Sequence, residues 1–167
     1  KSHPVPPGTP HWGSAWKKAV AHYYDRSFQI AVHGSCQSYR TNYLDLDPTY
    51  RDAHGLPLLR MTFDRHDNER RMSAYTTAKA AEIAKAMGPS KMSAVPVSHK
   101  YSITNYQSTH NCGGVVMGPD PATSVVNKYL QSWDVSNVFV VGGSAFPHNS
   151  ANNPTGTLGA LACWSAD

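Results

Sequence analysis

The segment NYLDLDPTYRDAHGLPLLRMTFD, residues 42–64, decides the predicted fold. Residues 41–47 alternate imperfectly between apolar and polar side chains and end at Pro48, which predicts a strand. Residues 48–64 predict a strand, a turn and a second strand, because Asp52-Ala53-His54-Gly55 supplies turn-forming residues and Leu58–Phe63 alternates again. This segment therefore indicates antiparallel strands joined by short connections.

Helical patterns surround these strands. Apolar residues recur every three to four positions over Trp12–Tyr24 and again over Asn68–Met87. Gly88-Pro89 predicts the end of the second helix, since Gly favours the left-handed cap and Pro prevents continuation. A short strand is expected at Phe28–Val32. The predicted class is α+β, an antiparallel sheet with helices on one side.

The C-terminal quarter of the chain has a different pattern. Residues 124–135 predict a loop and turn, and Val138–Val141 predicts a fully apolar strand. An irregular turn over residues 142–147 leads to a last helix, for which Asn153 suits the N-cap and Pro154 the first helical position.

Composition narrows the class of protein. The 167 residues allow one domain, and 40% hydrophobic with 16% charged residues is typical of a globular chain. The net charge of +4 is spread out, and the cluster over residues 65–71 mixes signs as a solvated helical face does. We therefore expect no nucleic-acid partner and, without a long apolar run, no direct membrane insertion.

Cysteine and histidine spacing argues against a metal centre. The three cysteines, Cys36, Cys112 and Cys163, form no CxxC pair, and the nine histidines form no HxH or HxxxH pair. No metal ligand is predicted, and the sequence leaves open whether one disulfide forms.

Two segments carry candidate chemistry. His110 precedes Gly113-Gly114, and imidazole is a natural base for a substrate hydroxyl near neutral pH; the alternative is an ordinary loop histidine beside a glycine turn. The start of the last helix presents free backbone N–H groups that could hold a phosphate, a carboxylate or the negative charge of a reduced flavin; the alternative is a capped helix with nothing bound. A GxGxxG fingerprint is absent from the sequence.

Residues 108–167, STHNCGGVVMG through NNPTGTLGALACWSAD, resemble the C-terminal signature of the glucose–methanol–choline (GMC) flavin oxidoreductases. Within that family the chain is most similar to the flavoprotein subunits of membrane-bound gluconate and fructose dehydrogenases. Residues 42–64 and the helix after them resemble the substrate domain of the same group.

The resemblance implies roles for particular residues. His110 matches the active-site histidine that acts as base toward the substrate hydroxyl, and Asn153 matches the second active-site position. The implied reaction removes the hydroxyl proton and transfers a hydride from the carbinol carbon to flavin N5. The positions that match those lining the FAD are Gly143, Ser144, Pro154 and Thr155.

The resemblance also implies an organisation and a setting. Residues 1–11 would be a connecting segment, residues 12–135 the substrate-binding domain, and residues 136–167 the last strand, turn and helix of the FAD-binding domain. The chain is expected to be the C-terminal third of an enzyme acting on a polyol, sugar or sugar acid. Its expected partners are the N-terminal flavin-binding portion, a cytochrome c and small subunits, at the periplasmic side of the bacterial cytoplasmic membrane. A non-catalytic fragment or binding module without flavin is the alternative.

Overall fold

A computed structural model describes residues 5–95, 100–102 and 109–167 of the chain. The elements follow in the order α1 (Gly13–Tyr23), β1 (Tyr43–Arg51), β2 (Pro57–Thr62), α2 (Asp67–Ala86) and α3 (Thr155–Ala166). The predicted α+β class with antiparallel strands is confirmed. The first four residues of the expected connecting segment, and residues 103–108 ahead of His110, lie outside the described residues.

The strands β1 and β2 pair antiparallel and form a hairpin, as the sequence predicts, but β1 continues through Pro48, where the sequence predicts the end of a strand. The ladder runs from Tyr43 opposite Thr62 to Leu46 opposite Leu59, and the register then shifts before Arg51. Pro48 explains the shift, because it cannot donate to a ladder. The Asp47 carboxylate there accepts bonds from the backbone N–H groups of residues 49 and 50, each 2.8 Å long.

The turn of the hairpin is held by one aspartate. Asp52 Oδ1 accepts the backbone N–H groups of His54 at 2.8 Å and Leu56 at 2.9 Å. Gly55 adopts φ +81°, the left-handed region that glycine enters without steric cost. The turn residues therefore satisfy their own backbone locally.

The helices begin and end close to the predicted residues. The end of α2 has Gly88 at φ +67°, and the Gly88 N–H donates to the Lys85 carbonyl at 3.1 Å, as expected for a glycine that terminates a helix. The last helix, α3, begins one residue after the predicted start. The Pro154 carbonyl accepts its first bond from the Leu158 N–H at 2.9 Å, so Pro154 and not Asn153 is the N-cap.

Two predicted strands are wrong. Residues 28–32 are irregular, and Phe28 and Val32 are exposed, because no neighbouring strand among the described residues pairs with them. Residues 138–141 form one isolated bridge, between Phe139 and Gln131, together with single backbone bonds to residues 130, 132 and 135. Leu130 has φ +61°, which interrupts the extended backbone that a continuous ladder would need.

The described chain divides into two units. One comprises residues up to 32 together with 70–95, and contains α1 and most of α2. The other contains the hairpin, the loops around His110 and α3. The small core of this second unit consists of Val126, Leu130 and Ala145, with partly buried apolar neighbours packed on it. The expected boundaries at residues 11 and 135 stay predictions. None of the helices in the described ranges is long and apolar enough to cross a bilayer.

Candidate functional site

Two segments that are distant in sequence run side by side next to the small core. The backbone N–H of Val115 donates to the Ser144 carbonyl, and that of Met117 to the Ala145 carbonyl, both at 2.8 Å. The Asn149 side-chain amide donates to the His110 carbonyl at 3.4 Å. The loop after His110 is therefore attached to the turn at Gly143–Ala145, a short 3-10 helix, and to the residues that follow it.

His110 has an uncommon backbone conformation. Its φ is +62°, in the left-handed region that few residues other than Gly occupy, although His, Asn and Asp are the more frequent exceptions. Ala151, two residues before Asn153, has φ +64°. Such conformations cost of the order of 1–3 kcal/mol and persist where surrounding contacts enforce them, which is frequent at functional sites. Both strained residues therefore lie in the segments that carry the two candidate catalytic side chains.

A third segment, residues 35–38, contacts the segment that follows the turn at Gly143–Ala145. Ser38 donates to the Pro147 carbonyl from its backbone N–H at 3.3 Å and from its hydroxyl at 2.7 Å. Gln37 forms a bridge with His148, whose Nδ1 lies 3.3 Å from the Ser35 hydroxyl. We use the name "loop cluster" for residues 35–38, 109–117 and 142–149 together.

Two glycines allow the segments of the loop cluster to approach closely. A Cβ atom on Gly113 would collide with the Ser38 hydroxyl, and one on Gly143 would lie only 3.1 Å from the Asn111 carbonyl oxygen. Gly113 also has φ +87°. Gly113 is thus needed both for its backbone angle and for the space that a residue without a Cβ leaves.

The side-chain surroundings of His110 include a second imidazole. The His33 ring lies 5.9 Å from the His110 ring, centroid to centroid, with the planes at 61°. Burial raises the pKa of Cys112, two residues after His110, and burial is also the main reason that the pKa of Cys36 is raised. Both thiols are therefore held protonated at neutral pH and do not contribute negative charge to the loop cluster.

The structure brings some predicted site residues together and leaves others apart. His110, Gly143 and Ser144 belong to the loop cluster. Asn153, Pro154 and Thr155 follow at the start of α3, where Asn153 and Thr155 are exposed. Within the described part of the chain no side chain caps the N-terminus of α3 and no hydrogen bond joins Asn153 to His110, so their partnership across a substrate stays a prediction.

Sequence reasoning missed two residues of this region. Asn149 carries no local pattern that predicts its bond to the His110 carbonyl. Glu69 was assigned to a solvated face, which is wrong: it is only 6% exposed, because it turns toward residues 37–39. Its position in the first turn of α2, where carboxylates often interact with backbone N–H groups, was the available signal.

The chain is similar to one protein family and to several individual proteins. A family model described as GMC oxidoreductase matches residues 38–162. The chain is 53% identical over 98% of its length to the gluconate 2-dehydrogenase flavoprotein of Pantoea cypripedii, of which it covers 27%. It is 33% identical over 93% of its length to the 2-methyl-1,2-propanediol dehydrogenase of Mycolicibacterium austroafricanum, of which it also covers 27%.

A third relative is the large subunit of fructose dehydrogenase from Gluconobacter japonicus, with 36% identity over 75% of this chain and 22% of that protein. The chain therefore spans about a quarter of the length of the curated relatives it matches.

Proposed function

Because the chain belongs to the GMC oxidoreductase family, we propose that it forms the substrate-side part of an FAD-dependent dehydrogenase that oxidises the CH–OH group of a sugar or sugar acid. The observation that carries this proposal is the left-handed backbone of His110, at the start of a loop whose Val115 and Met117 N–H groups bond to Ser144 and Ala145. The relatives named after gluconate and fructose support the substrate class.

His110 is proposed as the catalytic base. A ring nitrogen of its imidazole would accept the proton of the substrate hydroxyl, which leaves the carbinol carbon ready to lose a hydride. The bond from Asn149 to the His110 carbonyl restrains the backbone that carries this imidazole. Asn153 is proposed to orient the substrate oxygen through its amide, which does not compete for the proton.

The residues present fit a flavin. The first turn of α3 contains no acidic side chain and has no side-chain cap among the described residues, so its backbone N–H groups are free for an anionic group. A Cβ on Gly156 or Gly159 would meet nothing within 4 Å, so this face of α3 is open. Gly143, Ser144, Pro154 and Thr155 are the proposed contacts, and FAD, when bound, supplies the hydride acceptor.

The wider setting of the enzyme is also a proposal. The relatives are about four times longer, which supports a separate flavin-binding portion in the same polypeptide. The printed names "flavoprotein" and "large subunit" support further subunits, for which we propose a cytochrome c and a small subunit at the periplasmic face of the membrane.

The decisive test is His110→Ala in the full-length enzyme. We expect kcat to fall by about 10²–10⁴-fold, the usual contribution of a positioned acid or base, while the flavin absorbance per protein stays unchanged. His54→Ala is the matched control, because His54 is an exposed histidine in the hairpin turn. Unchanged turnover in the His110 variant would rule out the proposed base.

A further inference from the structure

Glu69 is a charged side chain buried beside the loop cluster. It is 6% exposed and lies in the first turn of α2, outside the residues assigned to chemistry above. Burial raises the pKa of Glu69, but hydrogen bonds, led by the one from Asn68, outweigh that effect and hold the pKa below its usual value. Glu69 is therefore a buried carboxylate that stays ionised at neutral pH.

One oxygen of this carboxylate collects three donors. Oε1 accepts the Gln37 backbone N–H at 3.3 Å, the Tyr39 hydroxyl at 3.0 Å and the Asn68 side-chain amide at 3.2 Å. Oε2 is buried as well and accepts no hydrogen bond from any described residue. All three donors therefore depend on one carboxylate oxygen, and removing the Glu69 carboxylate would leave each of them without this acceptor.

The Tyr39 side chain is itself held in place. Its ring stacks on His66 with 3.8 Å between centroids, and His66 Nε2 lies 2.9 Å from the Thr41 hydroxyl. Two of the three donors to Oε1 thus come from residues 37–39, and both are fixed relative to the start of α2.

Residues 37 and 38 are themselves part of the loop cluster. Ser38 is bonded to Pro147 through two donors, and its hydroxyl fills the space beside Gly113, three residues after His110. A chain of contacts therefore leads from Glu69 through residues 37 and 38 to the segment that contains His110, residues 109–117, and to the segment 142–149.

We propose that Glu69 is a positioning residue for His110, acting through its hydrogen bonds to Gln37 and Tyr39. This inference rests on the proposed function for its kinetic consequence, whereas its structural consequence can be measured independently. Loss of the Oε1 acceptor would release residues 37–39, and the strained His110 backbone would then relax toward conformations that place the imidazole away from the substrate.

The test compares Glu69→Ala with Glu69→Gln in the full-length, FAD-loaded enzyme. The Gln amide oxygen can accept the same three donors without the charge, whereas Ala cannot. We expect Ala to lower kcat at least tenfold with KM and FAD content within about threefold of wild type, and Gln to keep kcat within about threefold. Glu82→Ala is the matched control, since Glu82 is an exposed carboxylate on the same helix that pairs with Lys79.

Thiol labelling supplies a readout that does not depend on activity. Cys112 adjoins Gly113, so its labelling by an alkylating reagent, followed by peptide mass spectrometry, should accelerate several-fold in Glu69→Ala and stay unchanged in Glu69→Gln. Cys36 is unsuitable, because burial and then the Glu69 charge raise its pKa, and its reactivity would change with the charge alone. Labelling of the exposed Cys163 is the control for the reactivity of the reagent itself.

Each remaining outcome contradicts the proposal. Wild-type turnover and Cys112 labelling in Glu69→Ala would show that the connection has no effect. Equal losses in Ala and Gln would assign the effect to charge and not to the hydrogen bonds. Loss of FAD and a general fall in melting temperature would show a merely structural role.

If Glu69→Ala does not fold, Tyr39→Phe removes one of the donors, and it should lower kcat in the same direction by a smaller factor. If His110 proves dispensable, Cys112 labelling still decides whether Glu69 holds the loop.

Discussion

The hairpin and the loop cluster are organised in opposite ways. In the hairpin, Asp45 and Arg60 face each other across the ladder only 15 positions apart, and the turn is held by a single aspartate. In the loop cluster, the Ser38 hydroxyl bonds to a carbonyl 109 positions away. The hairpin is thus a product of local contacts, whereas the loop cluster exists only because distant segments meet.

The hairpin and the loop cluster also differ in how deeply their apolar side chains are buried. Leu46 and Leu59, opposite each other in the hairpin, are 63% and 69% exposed. Val126 and Leu130, next to the loop cluster, and Ala145, within it, are fully buried. Regular structure and burial therefore do not coincide here: the irregular loops contain the core, and the regular strands present apolar surface.

The largest effect on stability is expected from Leu130→Ala in the full-length protein. The variant retains a Cβ at the same left-handed position, so the change reports lost packing, and about 2–5 kcal/mol of unfolding free energy should be lost. Leu59→Ala in the hairpin is the comparison, and both are measured by urea denaturation. A cost for Leu59→Ala as large as that for Leu130→Ala would break the contrast, because it would show that the hairpin is covered in the whole protein.

An intermediate effect should separate two glycines with nearly the same backbone. Gly55 in the hairpin and Gly113 in the loop cluster have φ of +81° and +87°, but only Gly113 has a neighbour where a Cβ would be. Gly55→Ala should cost about 1 kcal/mol from backbone strain, and Gly113→Ala about 1–3 kcal/mol more from the collision. Ser38→Ala combined with Gly113→Ala should recover part of that extra cost; purely additive losses would contradict the proposed contact.

The smallest effect is expected at the Asp45–Arg60 pair of the hairpin, which is exposed to solvent. The hydrogen bond from Arg60 lowers the pKa of Asp45, so the pair stabilises the fold above the usual aspartate pKa and loses this contribution as the pH falls below it. Arg60→Gln should therefore shift the denaturation midpoint only slightly at pH 7, less in high salt, and not at all once Asp45 is protonated. A large shift that persists in high salt would show that the pair is shielded from solvent.

Much of the regular structure was predictable from the sequence, because its signals are periodic and close together. The alternation over residues 58–63 and the Asp52–Gly55 turn predicted the hairpin, and the apolar spacing over residues 68–87 predicted α2 to within one residue. The strand predictions at 28–32 and 138–141 failed because an apolar run does not reveal whether a partner strand exists. Glu69 was misassigned because the sequence does not show that residues 37–39 lie against the start of α2.

The sequence by itself therefore determined the α+β class, the hairpin, the helices and the candidate residues His110 and Asn153, since each depends on neighbouring residues or on a motif. Only the tertiary structure decided that His110 adopts a left-handed conformation, that the loop after it bonds to Ser144 and Ala145, and that Glu69 is buried. The physical reason is that these features depend on hydrogen bonds and close contacts between segments separated by tens of residues. Local propensity carries no information about which distant segments will meet.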